Sequence, residues 1–284
     1  MNVKKQTRIK FPLLKEVVEH IYIVAYKEDV TKLQNALSKE GFKSTVIRYT
    51  YTEEEKKYSP IIRGLLTHSI AWKCCAKNSG LTIVVEADFV PVKGFSCLPV
   101  PFDINRKDES WGWLYTCGPA LYDLYRDGFA RGHSAAPVAT LLGPTIAKVL
   151  LDFASEYLKK KNPYQYSPWD TQVRIYAQKR GIMSFLPFRN YGEHGGIPDP
   201  DHKLAGLTAT HRADVLYGKL HFLPPYAKGS KIKFLKTRMW AKSRGFGRLV
   251  LGRYIERPTL IRTKGFHNKY RLLLYSLNRL LSFY

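Results

Sequence analysis

No stretch of the 284 residues is both apolar and long enough to cross a bilayer. The longest run without Lys, Arg, Asp or Glu is Gly132 to Ala147, broken by Pro137, Gly143 and Pro144; a spanning helix needs about 20 apolar residues. The start carries Lys4, Lys5, Arg8 and Lys10, but Lys15 and Glu16 interrupt the apolar residues that follow, too soon for a signal peptide. A cytoplasmic protein is the expectation. Cysteine is scarce: Cys74, Cys75, Cys97 and Cys117 include no C-x-x-C pair, which supports neither a zinc site nor a disulfide framework. Internal repeats and low-complexity tracts are also missing.

Acid is nearly absent from the last quarter. Residues 1 to 214 hold 30 Lys and Arg against 22 Asp and Glu, a difference of +8, whereas residues 215 to 284 hold 16 against Glu256 alone, a difference of +15. A nearly balanced body beside a basic end implies an anionic partner surface. Hydrophobic residues make up 45% of the chain, enough for a packed core and too many for a disordered chain.

Along the body, residues 20 to 26 read as a buried strand and 30 to 40 as a helix stopped by Gly41. Thr45 to Tyr49 follows as a strand, 61 to 77 as a helix with Ile62, Leu65, Leu66, Ile70 and Trp72 as its stripe, and Leu81 to Val85 as an apolar strand. This alternation predicts an α/β domain with a mostly parallel sheet. Beyond it, Trp111 to Cys117 reads as a strand, Pro144 to Lys160 and Pro168 to Arg180 as helices, and Ile182 to Leu186 as a strand. Tyr191 to His211, rich in Gly, Pro, Asp and His, reads as a shaped loop.

The strongest chemical signal is Glu86-Ala87-Asp88 at the carboxyl end of an apolar strand, where open α/β sheets bind their ligands. Hard oxygen donors there suit Mg²⁺ or Mn²⁺. Spacing alone leaves a divalent-ion site and an ordinary solvated strand end equally open. The other dense polar cluster is Tyr191-Gly-Glu-His-Gly-Gly196 with Pro198-Asp-Pro-Asp-His202. Its glycines permit close backbone approach, and Glu193, His194 and His202 are candidates to complete a metal or phosphate site; a turn-rich surface loop is the alternative.

The run Arg63-Gly-Leu-Leu-Thr-His-Ser-Ile-Ala-Trp72, followed by Val-Val-Glu-Ala-Asp-Phe-Val90, resembles the family 25 glycosyltransferases, the lipopolysaccharide-biosynthesis and procollagen galactosyltransferase group. His-Ile-Tyr-Ile-Val-Ala-Tyr26 is similar to the family's first nucleotide-binding strand, and Pro168-x-Asp170 to its second acidic motif. The resemblance spans roughly residues 18 to 200. Ala87 replaces the middle acid of the family's Glu-Asp-Asp, and the family's Asn-Leu-x-Arg segment is absent.

The resemblance implies a GT-A-like nucleotide-sugar domain over 18–214 and inverting transfer of galactose or a related hexose, assisted by Mn²⁺ or Mg²⁺, with Ala87 the departure from the family's metal-binding acids. It implies a UDP-linked donor and a glycan or lipid-linked glycan acceptor, in lipopolysaccharide or capsule-type biosynthesis. Glu86, Asp88, His194 and His202 are then the metal candidates. Tyr26, Lys27, Arg63, His68, Glu86 and Glu193 are the nucleotide-sugar candidates, and Asp170 is the candidate base; a helix-capping Asp170 and a merely buried His68 are the structural alternatives.

Residues 215–284 read as a basic amphipathic extension. In Lys269 to Tyr284, Leu273, Leu277, Leu280, Leu281 and Tyr284 fall on one helical face, with Arg271, Asn278 and Ser282 opposite and Arg279 near them. Residues 228 to 248 interleave Lys and Arg with Phe234, Leu235, Trp240 and Phe246. The expectation is docking on the anionic inner face of a membrane. A nucleic-acid binder ranks second, because the body shows no RNA-binding motif. A sugar-binding relative without catalysis is third, on account of Ala87.

Overall fold

The computed structural model describes residues 11–125, 128–134, 136–197, 211–256 and 266–282. A short helix α1 (Leu14–Val17) leads into β1 (Val18–Ala25), α2 (Thr31–Lys39), β2 (Ser44–Arg48), α3 (Pro60–Cys75) and β3 (Leu81–Glu86). Gly41, at a φ of 85° open to glycine without strain, turns the chain from α2 into β2. Pro60 opens α3 at a position where a missing N–H costs nothing.

β4 (Phe89–Pro91), β5 (Ser110–Trp113), β6 (Ala120–Leu124), β7 (Phe129–His133) and β8 (Ala139–Leu142) precede α4 (Pro144–Lys160), α5 (Trp169–Lys179), β9 (Met183–Pro187) and β10 (Gly192–His194). The helices α6 (Lys231–Val250) and α7 (Phe266–Leu281) follow. Eight strands form one sheet in the order β2-β1-β3-β8-β5-β9-β7-β6, and β4 pairs with β10 in a separate antiparallel ribbon. The fold is α/β. β2, β1 and β3 are mutually parallel, as is the β5–β9 pair, while β8, β7 and β6 bring antiparallel pairings.

Alternation along the strands sorts the core into two layers. Ile21 and Ile23 of β1 and Ile83 and Val85 of β3 pack with Leu33 and Leu37 of α2. On the other face, Val24 and Val84 pack with Ile62, Leu65 and Trp72 of α3, Leu150 of α4 and Val173 of α5.

The basic end is woven into the second layer. Tyr254, Ile255, Leu272 and Leu280 belong to the same apolar cluster as α3, α4 and α5. Residues 254–256 line the edge strand β6, with Leu121 N–H donating to Tyr254 O and Glu256 N–H to Leu121 O. The expected division at 214/215 therefore falls between two buried residues, Asp214 and Val215.

The face expected of the terminal helix needs correction. Leu272, Ser276, Arg279 and Leu280 point inward, while Leu273 and Leu281 are exposed. Arg279, expected near the solvent side, is fully buried because Asp214 lies beneath it, 3.0 Å from Nη2. Its guanidinium also donates to Tyr254 Oη, Thr116 Oγ1, Pro187 O and Phe188 O.

Candidate functional site

β1 and β3 lie side by side and parallel, so their carboxyl ends open on one side of the sheet. A cleft of about 300 Å³ sits there, lined among others by Tyr26, Tyr51, Arg63, His68, Glu86 and Asp88. Glu86 ends β3, and Ala87 N–H donates to Val24 O, which turns the chain at Asp88. The ribbon then supplies the third group: His194 stands opposite Phe89 across β4 and β10. His194 Nε2 lies 2.9 Å from Asp88 Oδ2.

The glycines after His194 make this approach possible. Gly195 N–H donates to Asp88 O at 2.8 Å. A Cβ on Gly196 would overlap the Asp88 carboxylate, so no larger residue fits without displacing it. Arg212 donates to the carbonyls of His194 and Gly196 and lies over the Tyr226 ring at 4.1 Å.

Burial opposes charge on Glu86, and repulsion from Asp88 adds to it, pushing the carboxyl up to about 7. Burial also opposes charge on Asp88 and His194. Their mutual attraction outweighs it, holding Asp88 below its ordinary value and lifting His194 to about 9. Burial lowers His68 to about 4, so its imidazole is neutral at pH 7. His68 Nδ1–H donates to Gly64 O at 2.9 Å, which leaves the Nε2 lone pair 3.8 Å from Glu86 Oε1. The tautomer follows from the carbonyl, which can only accept.

Glu86, Asp88 and His194 each offer a ligand atom within 4.8 Å of the others. Among the described residues, Asp88 Oδ1 is buried with no hydrogen-bond partner. His194 Nδ1 donates to His211 O at 3.0 Å, leaving Nε2 as the donor atom once it is deprotonated. Two carboxylates and an imidazole fixed from behind by a carbonyl fit Mn²⁺ or Mg²⁺.

Above the acids, the Arg63 guanidinium lies 5.5 Å from the Tyr26 ring and 5.9 Å from the Tyr51 ring, and its Nε is buried without a partner among the described residues. This slot combines planar apolar surface with positive charge, as a nucleotide requires. Asp170 is half-buried in the first turn of α5, where it accepts Thr171 N–H at 2.7 Å. It is near enough to Glu86 for its charge to help raise that carboxyl. Its neighbour Trp169 packs 5.1 Å from His68 and 5.9 Å from Trp72.

Two expected residues stand differently, and a third cannot be placed. Glu193 is fully buried and turned from the cleft: its carboxylate accepts from Arg238 Nη1 at 2.7 Å and Ala213 N–H at 2.8 Å. Successive strand residues point to opposite faces, so seating His194 beside Asp88 sends Glu193 inward. Lys27 is exposed, with its ammonium 5.0 Å from the Tyr26 ring, and does not line the cleft. His202 lies outside the described residues. Sequence reasoning missed Arg212 and Tyr51; neither stands in a motif, and only tertiary contact brings them here.

Comparison with known protein families and with curated proteins finds no match. Among solved structures, the chain is similar to one described as the crystal structure of a glycosyltransferase involved in the glycosylation of the major capsid of PBCV-1. The identity is 10% and the TM-score 0.37, over 57% of this chain and 78% of that one.

Proposed function

We propose that this protein is a glycosyltransferase that moves galactose or a related hexose from a UDP-linked donor to a glycan acceptor, with inversion. A lipid-linked glycan of lipopolysaccharide or capsule-type assembly is the acceptor class we infer. One observation carries the reading: Glu86, Asp88 and His194 converge at the carboxyl end of parallel strands, beside the Tyr26–Arg63–Tyr51 slot.

Tyr26 and Tyr51 offer rings to the base, and Arg63 offers charge to the diphosphate. Glu86, Asp88 and His194 would hold the divalent ion, which when bound supplies positive charge to the departing diphosphate. Asp170 is the proposed acceptor of the sugar-acceptor hydroxyl proton. The buried Trp72 and Trp169 close the site behind His68 against water.

A donor screen with Mn²⁺, scoring release of UDP, CMP or GDP from each nucleotide sugar, tests this. Release from one donor is expected, and Asp88→Ala should cut it by more than about tenfold, or about 1.4 kcal/mol of transition-state stabilisation. Donor binding without release would favour a sugar-binding protein instead. Absence of both binding and release with every donor would overturn the reading.

A further inference from the structure

The helix α6 is amphipathic in the wrong sense for a helix buried in its own protein. Its inward face carries Ala241, Gly245 and Arg238. Gly245 sits so close to Leu280 that a Cβ there would come within 2.7 Å of its side chain, and Arg238 is tied to Glu193. The large apolar residues point out: Ile232, Leu235, Met239 and Val250 are 69, 58, 71 and 84% exposed. Their spacing of three, four and eleven residues keeps them on one face of a helix.

Charge surrounds this stripe and is of one sign. The helix contains Lys231, Lys233, Lys236, Arg238, Lys242, Arg244 and Arg248 and no acid, and Lys228 precedes it. Lys228, Lys231, Lys233 and Lys236 are exposed, interleaved with Ile232 and Leu235. Trp240 stands beside the stripe, 49% exposed, with the Arg244 guanidinium 5.3 Å from its ring.

We propose that the outward face of α6 seats on an anionic lipid surface, with the aliphatic stripe entering the acyl boundary and the lysines meeting the headgroups. Charge complementarity selects this occupant. A second copy would set one lysine-rich face against another. A nucleic acid would use the lysines but leave four aliphatic side chains without a role, because bases stack on rings. Lipid alone satisfies both halves of the pattern.

This inference does not depend on sugar transfer, and its test uses neither donor nor acceptor, so its failure would leave the glycosyltransferase reading intact. Trp72, Trp111, Trp113 and Trp169 are buried, which leaves Trp240 as the natural fluorescent probe of the surface. With the full chain, phosphatidylcholine vesicles containing phosphatidylglycerol should shift its emission to the blue and co-sediment the protein. Pure phosphatidylcholine should do neither. Replacing Lys231, Lys233 and Lys236 by Gln should weaken binding about a hundredfold, from roughly 1 kcal/mol per lysine. Leu235→Ser with Met239→Ser should abolish the blue shift, while the circular dichroism spectrum stays native.

Vesicle binding unchanged by the Leu235 and Met239 substitutions would overturn the proposal. So would tighter binding to single-stranded oligonucleotides than to the vesicles, or self-association that Met239→Ser dissolves.

Discussion

At Gly196 and Gly192 a single added methyl group should separate chemistry from stability. On Gly196 it would strike the Asp88 carboxylate. Gly196→Ala is expected to lower transfer by roughly tenfold or more, about 1.4 kcal/mol, while the melting temperature falls little because the carboxylate can swing toward the cleft. On Gly192 the methyl would meet the Phe89 ring, which is fully buried and cannot move. Gly192→Ala should therefore destabilise the protein by about 1–3 kcal/mol, the usual cost of overpacking. Paired kinetic and melting measurements on the two variants distinguish the effects; equal loss of stability in both would refute the distinction.

Glu40 gives the pH dependence at the same scale. Burial opposes its charge, but bonds from Ser96, His221 and Gly94 outweigh it and hold the carboxyl at about 2, against an ordinary 4.5. A depressed carboxylate contributes its full stability above the unfolded value, and loses it as pH falls from about 4.5 toward 2. The contribution is on the order of 2–3 kcal/mol. Urea denaturation should show Glu40→Gln weaker than the parent at pH 7, with the gap narrowing below about pH 4.5 and closing only near pH 2. A constant gap across that range would contradict the assignment.

Among the elements, α7 is anchored by a charge rather than by its leucines alone. Arg279→Ala leaves Asp214 buried without its cation and should cost about 3–5 kcal/mol. Adding Asp214→Asn should recover part of that loss, because the remaining partner is then neutral. Strictly additive losses in chemical denaturation would show that the pair does not interact. The same pair explains a limit of the sequence. β1, α2, β2, α3 and β3 announce themselves through uninterrupted local periodicity, and Glu86 and Asp88 are legible because they end an apolar strand. β6, β7 and β8 are short and joined by turns, with pairing partners distant in the chain. Arg279 looks like an outward charge until Asp214 is placed under it. His194 was visible as a polar loop residue, but that it faces Asp88 while Glu193 turns away depends on ribbon register, which no local pattern carries.

Across the whole molecule, the second apolar layer draws on both the body and the basic end, from Val24 to Leu280. Melting should therefore be a single cooperative transition in scanning calorimetry, with calorimetric and van't Hoff enthalpies in agreement. Two separated transitions would show that residues 215–284 form an independent unit.

The bond between Arg279 and Asp214 also has a consequence for biogenesis. Synthesis proceeds from the N-terminus, and 65 residues separate the two partners. At 5–20 residues per second the ribosome needs roughly 3–13 s to cover that distance. Throughout that interval Asp214 has no arginine to meet it, and the carbonyls of Pro187 and Phe188 lack the guanidinium that joins them to it. A chain that ends before Arg279 is therefore expected to leave Asp214 without its cation and to be more open to cellular proteases.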